Sequence, residues 1–337
     1  MRFASRFRDS LTGLGQTVYS TIMNILGIPI EFLQRFITVK AIPYAFLFPN
    51  LLLMSLFVLF PVILNVVYSF TGGTSPFLQD RPFVGVQNYQ QILDCKNFLD
   101  PLTCREDLFW SSVPKTANYV LWTVLFTLIV SLITALILNR PIRGKGFFRS
   151  VFFFPVMLSP VVVALIWRWL LIPDGLANGL LVNLGFERAD FLTNANWATF
   201  WVIFLGVWST MGFYTLIILA GLQSIPSELY EAAQIDGANA QQAFMKITLP
   251  LISPTLLVVL VLVSIRSVQV FDFVYAFTNG GPGTSTHYLI QYIVEKGFTV
   301  FPGNFGMAAT ASVFIAIVLI IITLIQMRLS NKVESAN

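Results

Sequence analysis

Charge is what this sequence has least of. Only 11% of its 337 residues are Asp, Glu, Lys or Arg, against about a quarter in an ordinary soluble domain. That is too little to cover the surface of a soluble protein of this size. A soluble enzyme, a disordered chain and a nucleic-acid binder are therefore excluded, although the formal net charge is +4. Histidine occurs once, as His287, and cysteine twice, as Cys95 and Cys104. These are too few ligands for a metal centre, so no metal site is expected, and His287 reads as an ordinary loop residue. There is no G-x-x-x-x-G-K-[ST] phosphate loop, since the only Gly-Lys pair, Gly144-Lys145, lacks the preceding glycine. ATP binding by that route is excluded. Neither H-E-x-x-H nor a nucleophile elbow occurs, and the spans lack the carboxylate series of a proton-coupled pump. The expectation is a chain with no catalytic residue and no cofactor of its own, a passage whose energy comes from elsewhere.

What is abundant is apolar: 56% of the residues, with 32 Phe in long runs. A helix needs about 20 mostly apolar residues to cross ~30 Å of hydrocarbon. Six stretches qualify: 44–70, 119–138, 148–172, 197–222, 249–277 and 305–327. The expected fold is an all-α membrane protein with six transmembrane helices. Lys and Arg set its orientation, because they accumulate on the cytoplasmic side. With the N-terminus inside, inner segments hold twelve and outer ones six, while Arg168 and Arg266 lie within or at the ends of spans. N-in and C-in follows.

This orientation divides the chain into a cytoplasmic segment 1–40, a six-span domain 41–330 and a cytoplasmic tail 331–337. Within the domain, 71–116 is an external loop and 223–248 a cytoplasmic one. No cleavable signal is expected, because 15–38 is only moderately apolar and is broken by Gly27, Pro29, Glu31 and Arg35. It reads as an amphipathic helix in the cytoplasmic interface, with a loosely ordered tail as the alternative. Cys95 and Cys104 share the external loop, where a disulfide is plausible and two free thiols are the alternative.

The inner loop 223–248 is long and helix-prone for a mere connection. Pro226 and Ser227 are helix-entry signals, and Gly237 interrupts the pattern, so two short helices joined at a bend are expected, with Pro250 opening the next span. Glu231-Ala232-Ala233, then Gly237, then Ile247-x-Leu249-Pro250 fills the whole pattern E-A-A-x3-G-x9-I-x-L-P. It resembles the EAA loop of ABC importer permeases. Phe148-Arg149-Ser-Val-Phe-Phe-Phe-Pro155 with Pro160, Trp167-Arg168-Trp169 and Pro173-Asp174-Gly175 resembles the third span of the carbohydrate permeases in that family. Phe271-Asp272 with Thr278-Asn279-Gly280-Gly281-Pro282-Gly283 resembles the end of their fifth span.

The resemblance implies a type I ABC importer transmembrane domain in a prokaryotic plasma membrane. It implies that this chain forms half of a translocation pathway for a sugar, polyol or related compatible solute. It also implies the partners: a second permease subunit in a heterodimer, two ATPase subunits holding ATP and Mg, and an external solute-binding protein. Glu231, Ala232, Ala233, Gly237, Ile247, Leu249 and Pro250 would couple to the ATPase. A sugar site needs polar partners beside aromatic planes. Trp208, Ser209, Thr210 and Phe213 in span four and Arg266, Ser267, Gln269 and Asp272 in span five are the candidates. Ser267-Val268-Gln269-Val270 stands where the maltose permeases carry several asparagines, which puts maltose itself in doubt. The alternative reading is a stand-alone secondary transporter or channel.

Overall fold

The computed structural model describes residues 42–334, which are nearly all helical. The interfacial helix expected within 1–40 and the last three residues lie outside the described residues. Among the described residues, six helices are long and apolar enough to cross a membrane. They are Phe46–Ser69, Asp107–Asn139, Pro160–Asn183, Ala195–Gln223, Ala240–Val268 and Phe305–Arg328, here spans 1 to 6, the third of them interrupted by a turn between Pro160–Leu171 and Leu176–Asn183. Contacts divide the chain after Asn65 into two units. The apolar clusters and cavities described below all belong to the unit that begins at Val66.

Proline shapes the helices without always ending them. Proline cannot donate to the carbonyl four residues back, and its ring crowds that carbonyl. Two prolines are accommodated by a preceding π-turn, which shifts the bonding by one residue. Ser55–Leu59 precedes Pro61, with the Phe60 N–H donating to the Ser55 carbonyl. Phe244–Thr248 precedes Pro250, with the Leu249 N–H donating to the Phe244 carbonyl. The helix therefore runs on from Ala240, and Pro250 lies inside span 5 rather than opening it. The last residues of the expected loop 223–248 belong to this helix.

Span 2 also exceeds its expected limits. It has 33 residues, about 50 Å at 1.5 Å each, which exceeds the ~30 Å of hydrocarbon. Hydropathy alone misses its first turns because Asp107, Ser111 and Lys115 interrupt the apolar run. Protein covers the other face, where Phe109, Ser112 and Thr116 are buried. Phe109 packs edge-on against Tyr292 at 5.3 Å between centroids. Helix therefore begins at Asp107, within the stretch 71–116 expected as a loop. Span 6 likewise continues as helix to Glu334, so the expected tail 331–337 is helical over its first four residues.

Two of the expected spans are broken, and this matters most for the site. The stretch 148–172 is two helices, Lys145–Met157 and Pro160–Leu171, separated at Leu158 and Ser159. Pro160 disfavours the helical region for the residue before it, and Ser159 is extended at φ −61°, ψ 132°. The stretch 249–277 is also two helices. Span 5 ends at Val268, and Asp272–Phe277 begins a new helix after Phe271 at φ −149°, ψ −61°. The short helix is held by Arg168, whose Nη1 donates to the Ala276 carbonyl at 3.3 Å, and by a cluster joining Val163, Val270, Val274 and Phe277.

Spans 2 and 4 meet through small residues, as membrane helices do when backbones approach closely. Tyr119, Thr123, Thr127 and Ser131 recur every four residues on the buried face of span 2. Ser131 Oγ donates to the Met211 carbonyl at 3.0 Å, and Gly206 leaves room for the Tyr119 hydroxyl.

The loop after span 1 is a folded subdomain. Arg81 donates to Thr71 Oγ1 at 2.8 Å and to the Ser75 carbonyl at 2.7 Å. Asn88 bonds the Ser69 and Thr71 carbonyls at 2.9 and 3.0 Å. A disulfide joins Cys95 to Cys104, nine residues on. Closing a loop this short is worth about 3 kcal/mol through the unfolded chain. We expect reductant to change the gel mobility of the denatured protein and to lower its thermal midpoint. Identical behaviour with and without reductant would show two thiols instead.

His287 is not an ordinary loop residue. It is buried, with Nδ1 at 2.8 Å from Ser112 Oγ and Nε2 at 2.9 Å from Glu295 Oε2. Beside it, Glu106 accepts from the Tyr292 hydroxyl and pairs with Lys296, both at 2.8 Å. Together these bonds pin the segment 280–296 to the first turns of span 2.

Candidate functional site

The two breaks come together around one polar cavity. It has a volume of about 340 Å³. Pro160 comes from the break in the third stretch, and Gln269, Val270 and Phe271 come from the break in the fifth. Irregular backbone at membrane depth is tolerated only where it is buried in protein or lines a cavity. Where helices are discontinuous, main-chain groups are released to face a ligand.

Six of the eight expected path residues line this cavity: Ser209, Thr210, Arg266, Ser267, Gln269 and Asp272. Trp208 and Phe213 do not. Trp208 packs edge-on against Trp167 at 5.7 Å between centroids, and Phe213 packs against Tyr214 at 5.3 Å. Arg266, Gln269 and Phe273 do not belong to one helical face, because the helix stops at Val268. Phe273 nevertheless lines the cavity, brought there by the restart of the chain.

Arg266, Gln269 and Asp272 are exposed, while Ser267 is buried. Among the described residues, the ion pairs are Arg188–Asp174, His287–Glu295 and Lys296–Glu106. Arg266 and Asp272 are therefore not paired with each other. Charges at membrane depth are costly, and as a rule they face a bundle interior or a water-filled cavity. Here both signs lie open on one cavity, beside the aromatic rings of Phe271 and Phe273.

Sequence reasoning missed Tyr119, Thr123 and Gly206, which complete the wall. For Tyr119 and Thr123 the signal was present as the four-residue repeat of polar residues Tyr119, Thr123, Thr127 and Ser131 in span 2, which marks the face turned toward other helices. Pro160 was noticed only as part of a motif, and its backbone consequence carried the information.

The second place is the loop between spans 4 and 5. Ser227–Ile235 is one short helix, and Ala240–Ala243 begins the next. Gly237 joins them at φ +77°, a region where glycine suffers no steric penalty. The Gly237 N–H donates to the Gln234 carbonyl at 3.1 Å and the Ala238 N–H to the Ala233 carbonyl at 2.8 Å, closing the first helix. Asn239 and Gln242 form a reciprocal capping box that opens the second. The Tyr230 hydroxyl lies 2.9 Å from Thr248 Oγ1 and ties the two arms together.

Between the arms is a cleft of about 380 Å³, lined by Ala233, Gly237, Ile247, Asp236 and Lys246 among others. Of the expected coupling residues, the structure brings Ala233, Gly237 and Ile247 together here. Glu231 and Ala232 are exposed outside the cleft, and Leu249 and Pro250 lie half-buried further along the span 5 helix. Ile225 packs on the cluster of Leu222 and Ile252, so the loop is rooted in both spans. Sequence reasoning also missed Ile235, Met245 and Leu229, which are 88%, 56% and 41% exposed.

Residues 127–335, which carry this loop and all of the cavity wall except Tyr119 and Thr123, match the family described as "Binding-protein-dependent transport system inner membrane component". The chain belongs to that family. It is a multi-pass protein of the inner membrane and a permease subunit of an ABC importer. It is 32% identical to the trehalose/maltose transport system permease protein MalF of Thermococcus litoralis, over 86% of this chain and 93% of that one. It is 31% identical to the arabinooligosaccharides transport system permease protein AraP of Bacillus subtilis, over 88% and 91% respectively. Among solved structures, it resembles a chain of a bacterial alginate ABC transporter in complex with an alginate pentasaccharide-bound periplasmic protein. That match has a TM-score of 0.72 and 26% identity, covering 90% of this chain and 97% of the other.

Proposed function

We propose that this permease subunit forms half of the membrane pathway for a saccharide or polyol. The observation that carries the reading is the polar cavity between the broken helices, with Ser209, Thr210, Arg266, Gln269 and Asp272 facing Phe271 and Phe273. Hydroxyls on one edge of a sugar need donors and acceptors, and its C–H faces suit aromatic planes. The relatives whose names specify maltose, trehalose or arabinooligosaccharides support the substrate class.

In this reading the chain lies N-in and C-in, so the loop around Gly237 is cytoplasmic. A second, similar permease completes the pathway as a heterodimer. Two ATPase subunits grip the loop and carry ATP and Mg, and this chain supplies no catalysis. An external solute-binding protein delivers the solute. The alginate transporter, solved with a periplasmic protein, supports that arrangement. The external subdomain and the turn 280–288, where Gly283 and Thr284 are exposed, form its docking face. ATP binding closes the ATPases and shifts the loop, and the cavity turns from inward-facing to outward-facing. The exposed Ile235 and Met245 add apolar contact for the ATPase beside the carboxylate of Glu231.

The test is uptake by the whole importer in proteoliposomes, driven by internal ATP, across a panel of sugars and polyols. We expect Gln269→Ala to raise the half-saturating solute concentration by about 3- to 10-fold and Asp272→Asn by more, as lost hydrogen bonds to neutral and charged groups require. Unchanged half-saturation in both variants, with normal assembly, would remove the cavity from the pathway.

A further inference from the structure

The hydroxyls on the wall of the polar cavity are not equivalent. Ser209 Oγ and Thr210 Oγ1 both donate to the Gly206 carbonyl, at 3.3 and 2.7 Å. A hydroxyl has one hydrogen, so these two offer only lone pairs to whatever enters. Tyr119 and Tyr214 line the same cavity. The hydroxyls of Tyr68, Tyr89, Tyr230 and Tyr292 are bonded to protein groups, whereas among the described residues those of Tyr119 and Tyr214 have no bonded partner. Thr123, one turn along from Tyr119, comes close to its hydroxyl, yet Thr123 Oγ1 is buried with no hydrogen-bond partner. Tyr288 also lacks a partner, but its hydroxyl is sealed in and does not belong to the cavity wall.

Both phenols are held in place. Tyr119 is 2% exposed and Tyr214 3%. The Tyr119 ring packs on Tyr288 with centroids 5.0 Å apart, and the missing side chain of Gly206 leaves its hydroxyl room. Tyr214 sits in a cluster with Ala135, Ile218 and Val263. Buried tyrosine hydroxyls as a rule have a partner. This chain by itself already covers each side chain almost completely, so a second permease can add little cover. What reaches the two hydroxyls is what occupies the cavity.

Resting on the reading of that cavity as the solute path, we propose that Tyr119 and Tyr214 are specificity-determining residues, each donating a hydrogen bond to an oxygen of the passing saccharide or polyol. One donor is fixed on span 2 and the other on span 4. A solute lacking an oxygen at either place leaves a buried donor unpaired, and a site of that kind rejects the analogue more strongly than the bond alone would.

The experiment is competitive uptake by the whole importer in proteoliposomes. The panel is maltose, trehalose, arabinobiose, glucose and sorbitol, and the member taken up fastest competes with each of its own mono-deoxy analogues. Comparing the uptake ratio between variants cancels the preference of the solute-binding protein. Tyr119→Phe and Tyr214→Phe should each reduce the preference for the parent over one analogue by about 3- to 10-fold. The analogue should differ between the two variants, and their thermal midpoints should match the wild type because the rings still pack. Should one variant fail to insert, the other carries the test. Equal loss of uptake for the parent and every analogue would show a structural role and overturn the proposal. So would unchanged preference in both Phe variants while Gln269→Ala alters it. Unchanged behaviour in Gln269→Ala and Asp272→Asn as well, or no uptake of any panel member by the wild type, would instead bring down the reading of the cavity itself.

Discussion

Gly237→Val is expected to cut solute uptake by about 5- to 150-fold or more while the protein still inserts and assembles. The residue sits at φ +77°, and a Cβ built there would meet nothing within 4 Å. The penalty is therefore in the backbone and not in packing. A β-branched residue forced to positive φ costs about 1–3 kcal/mol. The chain relieves this by rotating away from positive φ, which breaks the Ala238-to-Ala233 bond and swings Ser227–Ile235 relative to the span 5 helix. A coupling of 1–3 kcal/mol corresponds to about 5- to 150-fold in an equilibrium, so uptake driven through this loop should fall within or beyond that range. Gly237→Asn should be much milder, because Asn visits the left-handed region readily. Uptake and ATP hydrolysis measured together in proteoliposomes discriminate the outcomes. Hydrolysis without transport supports a lever, whereas wild-type uptake in the Val variant would remove the loop from energy coupling.

The second large effect concerns assembly. Gly212 lies where span 4 crosses the helix Lys145–Met157, and a Cβ there would fall on the backbone carbonyl of Phe152. A backbone atom cannot swing aside as a side chain can, so Gly212→Leu must push the two helices apart. Overpacking costs typically 1–3 kcal/mol and sometimes more, and the upper end is expected here. The variant should accumulate poorly in membranes, and its thermal midpoint in detergent should drop. Gly206→Ala is the control. Its Cβ would meet mainly the Tyr119 hydroxyl, the far end of a side chain, so a smaller loss is expected. If both variants behave alike and near wild type, the close approach of these helices does not hold the cavity in place.

The six spans were legible because water and hydrocarbon sort residues by type, whatever the tertiary contacts. The loop around Gly237 was legible for a related reason: a glycine, a capping Asn and a small-residue helix are local requirements. The breaks were not legible in the same way. Pro155 and Pro160 look equivalent in sequence, yet Pro155 sits inside a helix and only Pro160 follows an interruption. At Gln269-Val270-Phe271 neither glycine nor proline marks the interruption.

The amino-acid sequence by itself determined that this chain lies in a membrane, how many times it can cross, and that it belongs with permeases lacking an engine of their own. The first two follow from composition and the placing of apolar runs, and the third from the resemblance of the loop around Gly237 to the EAA loop. Only the tertiary structure decided which polar residues face one another. Burial of Val270, Val274 and Phe277 against the third-span helix, together with the Arg168 bond to Ala276, favours an interrupted fifth stretch over a continuous one. That interruption brings Gln269 and Asp272 into the cavity, while the rotation of the unbroken span 4 helix puts Ser209 and Thr210 there and leaves Trp208 and Phe213 out. Contacts between segments a hundred residues apart set this outcome, and no local pattern encodes them.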